Sequence, residues 1–251
     1  MTRPRSKTAD PNLAVRRAAA YELLARCLAY PDADGIASMR DLAGLAGGLL
    51  DGTPVAPLAQ VAAEAAQADL ETTYIRIFTL STSTDCPTFE SALFGGDHIQ
   101  QTERMADIAG FYRAFGVDPR EPGFRPDDIC VEIEFMGFLC RKQAYAAEHL
   151  GAPRVNQVLR AERMFLREHV GRWAGAIGRR VSLRSEPGSF YDEVGRALDA
   201  WLAADAAFIG AGPIEDVDIP ELKWARPDDE KDGPDLESAP DLIDFDEIPV
   251  I

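Results

Sequence analysis

Apolar side chains in this chain recur every three or four positions, segment after segment, and no alternating run of β-branched residues interrupts them. That period is the one an α-helix needs to bury one face, so it restricts the chain to helix packed on helix. After Asp10-Pro11, a cap followed by a proline suited to the first helical turn, Leu13, Ala20, Tyr21, Leu24, Cys27 and Leu28 keep the spacing until Pro31. Ile36, Met39, Ala43, Ala46 and Leu49 continue it over 35–50, and Leu58, Val61, Ala65, Tyr74, Ile77 and Phe78 over 57–78. Residues 79–96 lose the period and gather Ser, Thr, Pro and Gly, the composition of an ordered loop. Asp97 can cap a helix to Phe115 that Gly116 stops, Pro126 opens another to Leu150, and two more follow over about 152–178 and 189–207. The expectation is an all-α fold, a single domain of about seven helices over 10–212. A flexible basic arm (1–9) precedes it and an acidic, proline-rich tail (213–251) follows, with no internal repeat.

Charge separates body from tail. The 251 residues carry a net charge of −16, and residues 215–251 hold 14 Asp and Glu against 3 Lys and Arg, which leaves −5 for the rest. Five prolines in that stretch oppose regular structure, so it reads as an extended solvating tail. Its acidic and hydrophobic alternation over 241–248 gives it a second reading, as a segment that competes for or extends a partner surface. Nucleic acid is a poor partner for such a surface. The richest apolar run, 129–139, is broken by Glu132 and Glu134, so no membrane span is expected. Arg16-Arg17 is followed by Glu22 and Arg26, which excludes an apolar export signal there. Cys27, Cys86, Cys130 and Cys140 form no Cys-x-x-Cys pair, so neither a disulfide scaffold nor a zinc module is expected, and a reducing cytoplasm fits.

The helix opened by Pro126 carries the most informative acids. Advancing about 100° per residue puts Asp128 and Glu132 in the stripe of Ile129, Phe135, Met136 and Leu139, and puts Asp127, Glu134 and Arg141 on a solvated face. Carboxylates in a dry stripe need partners. Two readings stay open: a structural pair with an arginine of another helix, or an acidic patch lining a groove for a basic ligand. No Glu-x-x-His repeat supports a metal, no Gly-Lys-Ser/Thr loop supports a phosphate, and Cys86 has no signature that would make it a nucleophile. The loop Asp85-Cys86-Pro87-Thr88-Phe89-Glu90-Ser91 is either a turn in which Phe89 plugs the core and Glu90 caps the next segment, or a hinge exposing both.

Three stretches together resemble the TorD/DmsD/NarJ group of redox-enzyme maturation chaperones. Tyr74-Ile75-Arg76-Ile77-Phe78 is similar to that family's Tyr-x-x-Leu-Phe helix end, and Cys86-Pro87-Thr88-Phe89-Glu90-Ser91 to its Pro-x-Tyr-Glu-Ser/Thr loop, with Phe for Tyr. Arg125-Pro126-Asp127-Asp128, running on through Glu132, Phe135 and Met136, resembles its Glu-Pro-x-Asp-His-x-x-x-Glu-Leu-x-Phe-Met signature. Tyr112-x-x-x-Gly116 lies between them, and the likeness covers about 10–210. The family's Asp-His is Asp127-Asp128 here, so any role of that histidine has no carrier. The Cys-Pro loop with Asp-Asp looks more like the branch serving dimethylsulfide or ethylbenzene dehydrogenase-like enzymes.

The resemblance implies a cytoplasmic, non-catalytic chaperone, a monomer or a domain-swapped dimer. It would bind the apo catalytic subunit of a molybdenum oxidoreductase, or its twin-arginine signal peptide, while molybdopterin guanine dinucleotide is inserted, with at most indirect contact to that cofactor. Phe89, Glu90, Asp127, Asp128, Glu132, Phe135 and Met136 would then contact the client, the carboxylates taking arginines and the apolar residues forming a groove. Tyr74, Phe78, Cys86, Pro87, Tyr112, Gly116 and Pro126 would be structural. Two other classes remain: a small-molecule enzyme using Asp128 and Glu132, and a permanent helical subunit.

Overall fold

The structure, a computed structural model, describes residues 7–78, 85–94, 98–117 and 125–215. Nine α-helices occur among these residues: α1 (Pro11–Leu28), α2 (Ala33–Leu50), α3 (Ala56–Glu64), α4 (Gln67–Phe78), α5 (His98–Ala114), α6 (Ile129–Tyr145), α7 (Ala152–Glu168), α8 (Ala174–Leu183) and α9 (Phe190–Ile209). An isolated bridge between Phe89 and Asp128 is the only β pairing among the described residues. The tail from residue 216 on, including 241–248, and the cap position Asp97 lie outside the described residues, as do residues 1–6 of the arm.

The helix count exceeds seven because tertiary contacts break two periodic segments. Ala65 leaves the helical region (ψ 136°), and its carbonyl accepts two hydrogen bonds from the Arg40 guanidinium of α2, which separates α3 from α4. The 152–178 segment is interrupted by a 3-10 turn at Val170–Arg172, where His169 adopts φ −126° and ψ −108°. A Cβ on Gly171 would meet the Leu166 carbonyl at 2.1 Å, so the turn needs glycine. The helix credited to Pro126 starts three residues later, at Ile129, and ends as a π-helical turn over Ala146–Leu150.

Helix α1 is the centre of the fold. It packs against α6, α2 and α9, burying Tyr21, Leu23, Leu24 and Leu28 completely or nearly so. Gly137 of α6 lets the two central helices approach: a Cβ there would stand 3.4 Å from Tyr21 Cβ and Glu22 Cγ. Helices α8 and α9 come closer still, at Gly178 and Gly195.

A polar network crosses the core where α1, α6, α7 and α9 converge. Arg17 donates to Gln143 (2.7 Å), Glu162 (2.7 Å) and both oxygens of Asp205, and the Tyr21 hydroxyl donates to Asp205 (2.6 Å). All five side chains are buried. Two carboxylates face one guanidinium, and burial pushes Glu162 up to about 7 despite Arg17. Such a network fixes the mutual register of four helices more than it adds net stability.

Candidate functional site

The 86–94 loop and the residues before α6 form one clasp. The Ile129 amide donates to the Thr88 carbonyl (2.8 Å) and the Glu90 amide to the Asp127 carbonyl (2.9 Å), closing the antiparallel bridge around Phe89 and Asp128. Asp128 caps α6 by accepting from the Cys130 amide at 2.8 Å, the role short acceptor side chains fill at a helix start. From α5, the Tyr112 hydroxyl donates to the Pro126 carbonyl at 2.7 Å. Gly116, at φ +81°, ends that helix with a left-handed turn.

Asp127 is wholly buried, not solvated as its place in the helical period implied. The reason is local: it precedes the first helical residue, so the 100° step does not apply to it. Its carboxylate takes the Arg125 guanidinium through two bonds (3.1 and 3.0 Å) and the Ser91 amide at 3.2 Å. Burial raises this group, but Arg125 and Ser91 outweigh it and hold the carboxyl below its ordinary value. Arg125 also lies over the Phe89 ring at 3.9 Å and donates to the Ser91 hydroxyl, so Phe89 is half-buried beneath it. Asp128 next door is pushed up, by burial first.

Glu90 is also buried, neither an exposed hinge carboxylate nor a cap. Arg104 of α5 donates to it at 2.6 Å, and His169 Nδ1 lies 3.3 Å away. Glu132 points inward as the period requires, but its partner is not an arginine. The Trp173 indole N–H donates to its Oε2 at 3.2 Å, its Oε1 meets no donor, and burial followed by the neighbouring Glu90 pushes its carboxyl well up. Phe135 and Met136 are core residues, with Phe135 against Tyr112 (4.6 Å) and Phe165 (4.9 Å). The Tyr74 and Phe78 rings meet at 4.7 Å in a tilted arrangement, and both pack against the ring of Tyr191 of α9. Cys86 and Pro87 are buried, and desolvation raises the Cys86 thiol to about 11, which leaves it an inert thiol.

Two cavities flank the clasp. One, of about 560 Å³, opens over α1 between α2 and α6, where Leu42, Val131, Phe135 and Phe138 supply an apolar lining. Its rim carries Glu134 and the Arg141–Glu22 ion pair that ties α6 to α1. The other, of about 570 Å³, is polar: Ser91 and Phe94 from the loop face Arg104 and Asp107 of α5 and His169 and Arg172 beyond α7. Among the described residues, no group of three or more His, Cys, Asp or Glu could hold a metal ion.

Sequence reasoning did not find Arg104, His169, Trp173, Val131 or Phe138. Arg104, His169 and Trp173 reach the site through the tertiary packing of other segments, whereas Val131 and Phe138 stand on α6 itself, outside the stripe of Asp128 and Glu132. Only the scarcity of histidine, three in the chain, singles out His169 at all.

Comparison with known proteins bears on this clasp. The family model described as Nitrate reductase delta subunit matches residues 50–178, which is half of the chain and includes the loop, α5 and α6. The chain belongs to that family. Its members include the NarJ and TorD types of chaperone, as the loop and α6 motifs implied. The perchlorate reductase assembly chaperone protein of Dechloromonas aromatica (strain RCB) is similar as well, 34% identical over 112 residues, 43% of this chain and 49% of that protein. The chain thus matches about half the length of that relative. No described helix is long and apolar enough to cross a membrane.

Proposed function

We propose that this member of the nitrate reductase delta subunit family is a cytoplasmic assembly chaperone rather than an enzyme. Its client is the apo catalytic subunit of a molybdenum oxidoreductase, which it holds back from twin-arginine export while the cofactor is inserted. The observation that carries this reading is the family match across the clasp, supported by a relative named as the assembly chaperone of a reductase.

The apolar cavity between α2 and α6 suits the client segment. A basic, amphipathic stretch such as a twin-arginine signal peptide would lay its apolar face on Leu42, Val131 and Phe138, with Glu134 on the rim for a cation. Phe89, Glu90, Asp127, Asp128, Glu132 and Met136 serve that groove by holding the start of α6 in place, and Phe135 lines it. For Glu90, Asp127 or Glu132 to take a client arginine directly, their internal bonds to Arg104, Arg125 and Trp173 would first have to break.

The test is affinity capture of the protein from its native cells, with and without molybdenum cofactor synthesis, followed by mass spectrometry. A molybdoenzyme catalytic subunit should accumulate on the protein when the cofactor is missing. Its absence under both conditions overturns the reading. Phe138→Glu, at a half-buried groove position, should reduce that capture while leaving helical circular dichroism unchanged.

A further inference from the structure

We propose that a proton held by Glu132 bridges it to Glu90, and that this proton latches the 86–94 loop onto α6 so that the loop loosens as the pH rises. The argument begins with an oxygen that has no partner. Glu132 is fully buried, its Oε2 accepts from Trp173, and its Oε1 meets no donor. A buried carboxylate oxygen left without a donor is costly, so such atoms are rare in folded proteins. The group beside Glu132 is another carboxyl, that of Glu90, which after burial is the largest cause pushing the Glu132 carboxyl up. Two carboxylates cannot bond; a carboxylic acid and a carboxylate can, and the proton on Glu132 supplies the missing donor.

The charges around the pair fit this division of labour. Arg104 of α5 and His169, at the C-terminal end of α7, both contact Glu90, so the site's arginine stands on the Glu90 side and the proton belongs on Glu132. Glu132 faces Trp173 from the start of α8, and Asp127 and Tyr112 from the α6 approach and α5, none of them a cation. Asp107 of α5 stands 3.4 Å from the far nitrogen of His169. Glu90 is therefore the point where the loop, α5, α6 and the α7–α8 turn converge. When Glu132 loses its proton to solvent, the bridging donor is lost and a charge appears in a buried site beside Glu90, and the loop is the movable partner. Because Ser91 and Phe94 of that loop wall the polar cavity, its loosening reshapes the cavity as well.

Amide hydrogen exchange on the full chain tests the latch. The Glu90 and Ile129 amides form the two bonds across the bridge and report its opening. After correction for intrinsic exchange, their protection should fall with rising pH by up to about tenfold per pH unit, the slope for one released proton. Above about pH 7, where the Glu162 contribution has levelled off, amides of α1 should not follow. Glu132→Gln, which keeps a donor facing Glu90, should remove the dependence. Infrared spectroscopy near neutral pH should show a protonated, buried carboxyl that persists in Glu162→Gln, which removes the other raised carboxyl of the core, and is lost in Glu132→Gln. Protection that is independent of pH, the absence of that carboxyl, or a dependence that disappears in His169→Gln but persists in Glu132→Gln each overturns the proposal.

Discussion

Glu162 shows what a single buried carboxyl contributes and when. Its pKa rises from an ordinary 4.5 to about 7 because burial outweighs the attraction of Arg17. Between those two values the folded state binds more protons than the unfolded state, so this residue makes stability decline as pH rises from about 4.5 to about 7 and level off above. Glu162→Gln should flatten that decline, a difference of up to about 3 kcal/mol read from urea unfolding at a series of pH values. Arg17→Met leaves Glu162 and Asp205 without their shared cation and should cost about 3–5 kcal/mol in the same assay at neutral pH. Asp127 has the opposite sign. Its carboxyl is held low, so its contribution is present above the ordinary carboxylate range and is lost as pH falls. Arg125→Ala raises that carboxyl and should move the acid-unfolding transition to higher pH. The partners of Arg17 could not be read from spacing. Arg17 and Asp205 lie 188 residues apart, and local periodicity reports that a side chain faces inward, not what it meets there.

At the scale of elements, helix starts and close approaches decide the outcome. Asp128 caps α6, so Asp128→Ala should cost about 0.5–2 kcal/mol in equilibrium unfolding, whereas Asp128→Asn, which keeps the acceptor, should cost little. The proline before it drew the sequence reading to a start three residues early, since Pro126 satisfies the same first-turn preference without being in the helix. Gly195 shows the limit of pattern reading more sharply. A Cβ there would stand 2.3 Å from the Gly178 carbonyl, so Gly195→Ala must push α9 off α8 and should destabilise the protein by about 1–3 kcal/mol in thermal or urea unfolding. In the sequence this glycine is only a weak spot in an otherwise good helix. Likewise the break between α3 and α4 depends on Arg40, which is 25 residues distant from the carbonyl it captures. The period of the 57–78 segment was legible, and its interruption was not.

For the whole molecule, the groove between α2 and α6 and the clasp beside it are separable. Phe138→Glu should impair client capture without unfolding the protein, whereas Glu132→Gln should alter the pH response of the loop. The two effects therefore map to different faces of the same helix. The sequence alone determined the class of fold, because a three-to-four residue apolar period that returns in segment after segment between 13 and 207 admits only packed helices. It also determined the family, because the loop and α6 motifs stand in a fixed order. Tertiary structure alone decided which acids are paired, and with what. Glu90 meets Arg104 and His169, Glu132 meets Trp173, and Asp127 lies buried under Arg125, while Phe138 and Val131 are the residues left facing the cavity. The physical reason is that a helical period is a local property of the backbone, whereas desolvation and charge pairing depend on groups brought within a few ångströms by the packing of distant helices.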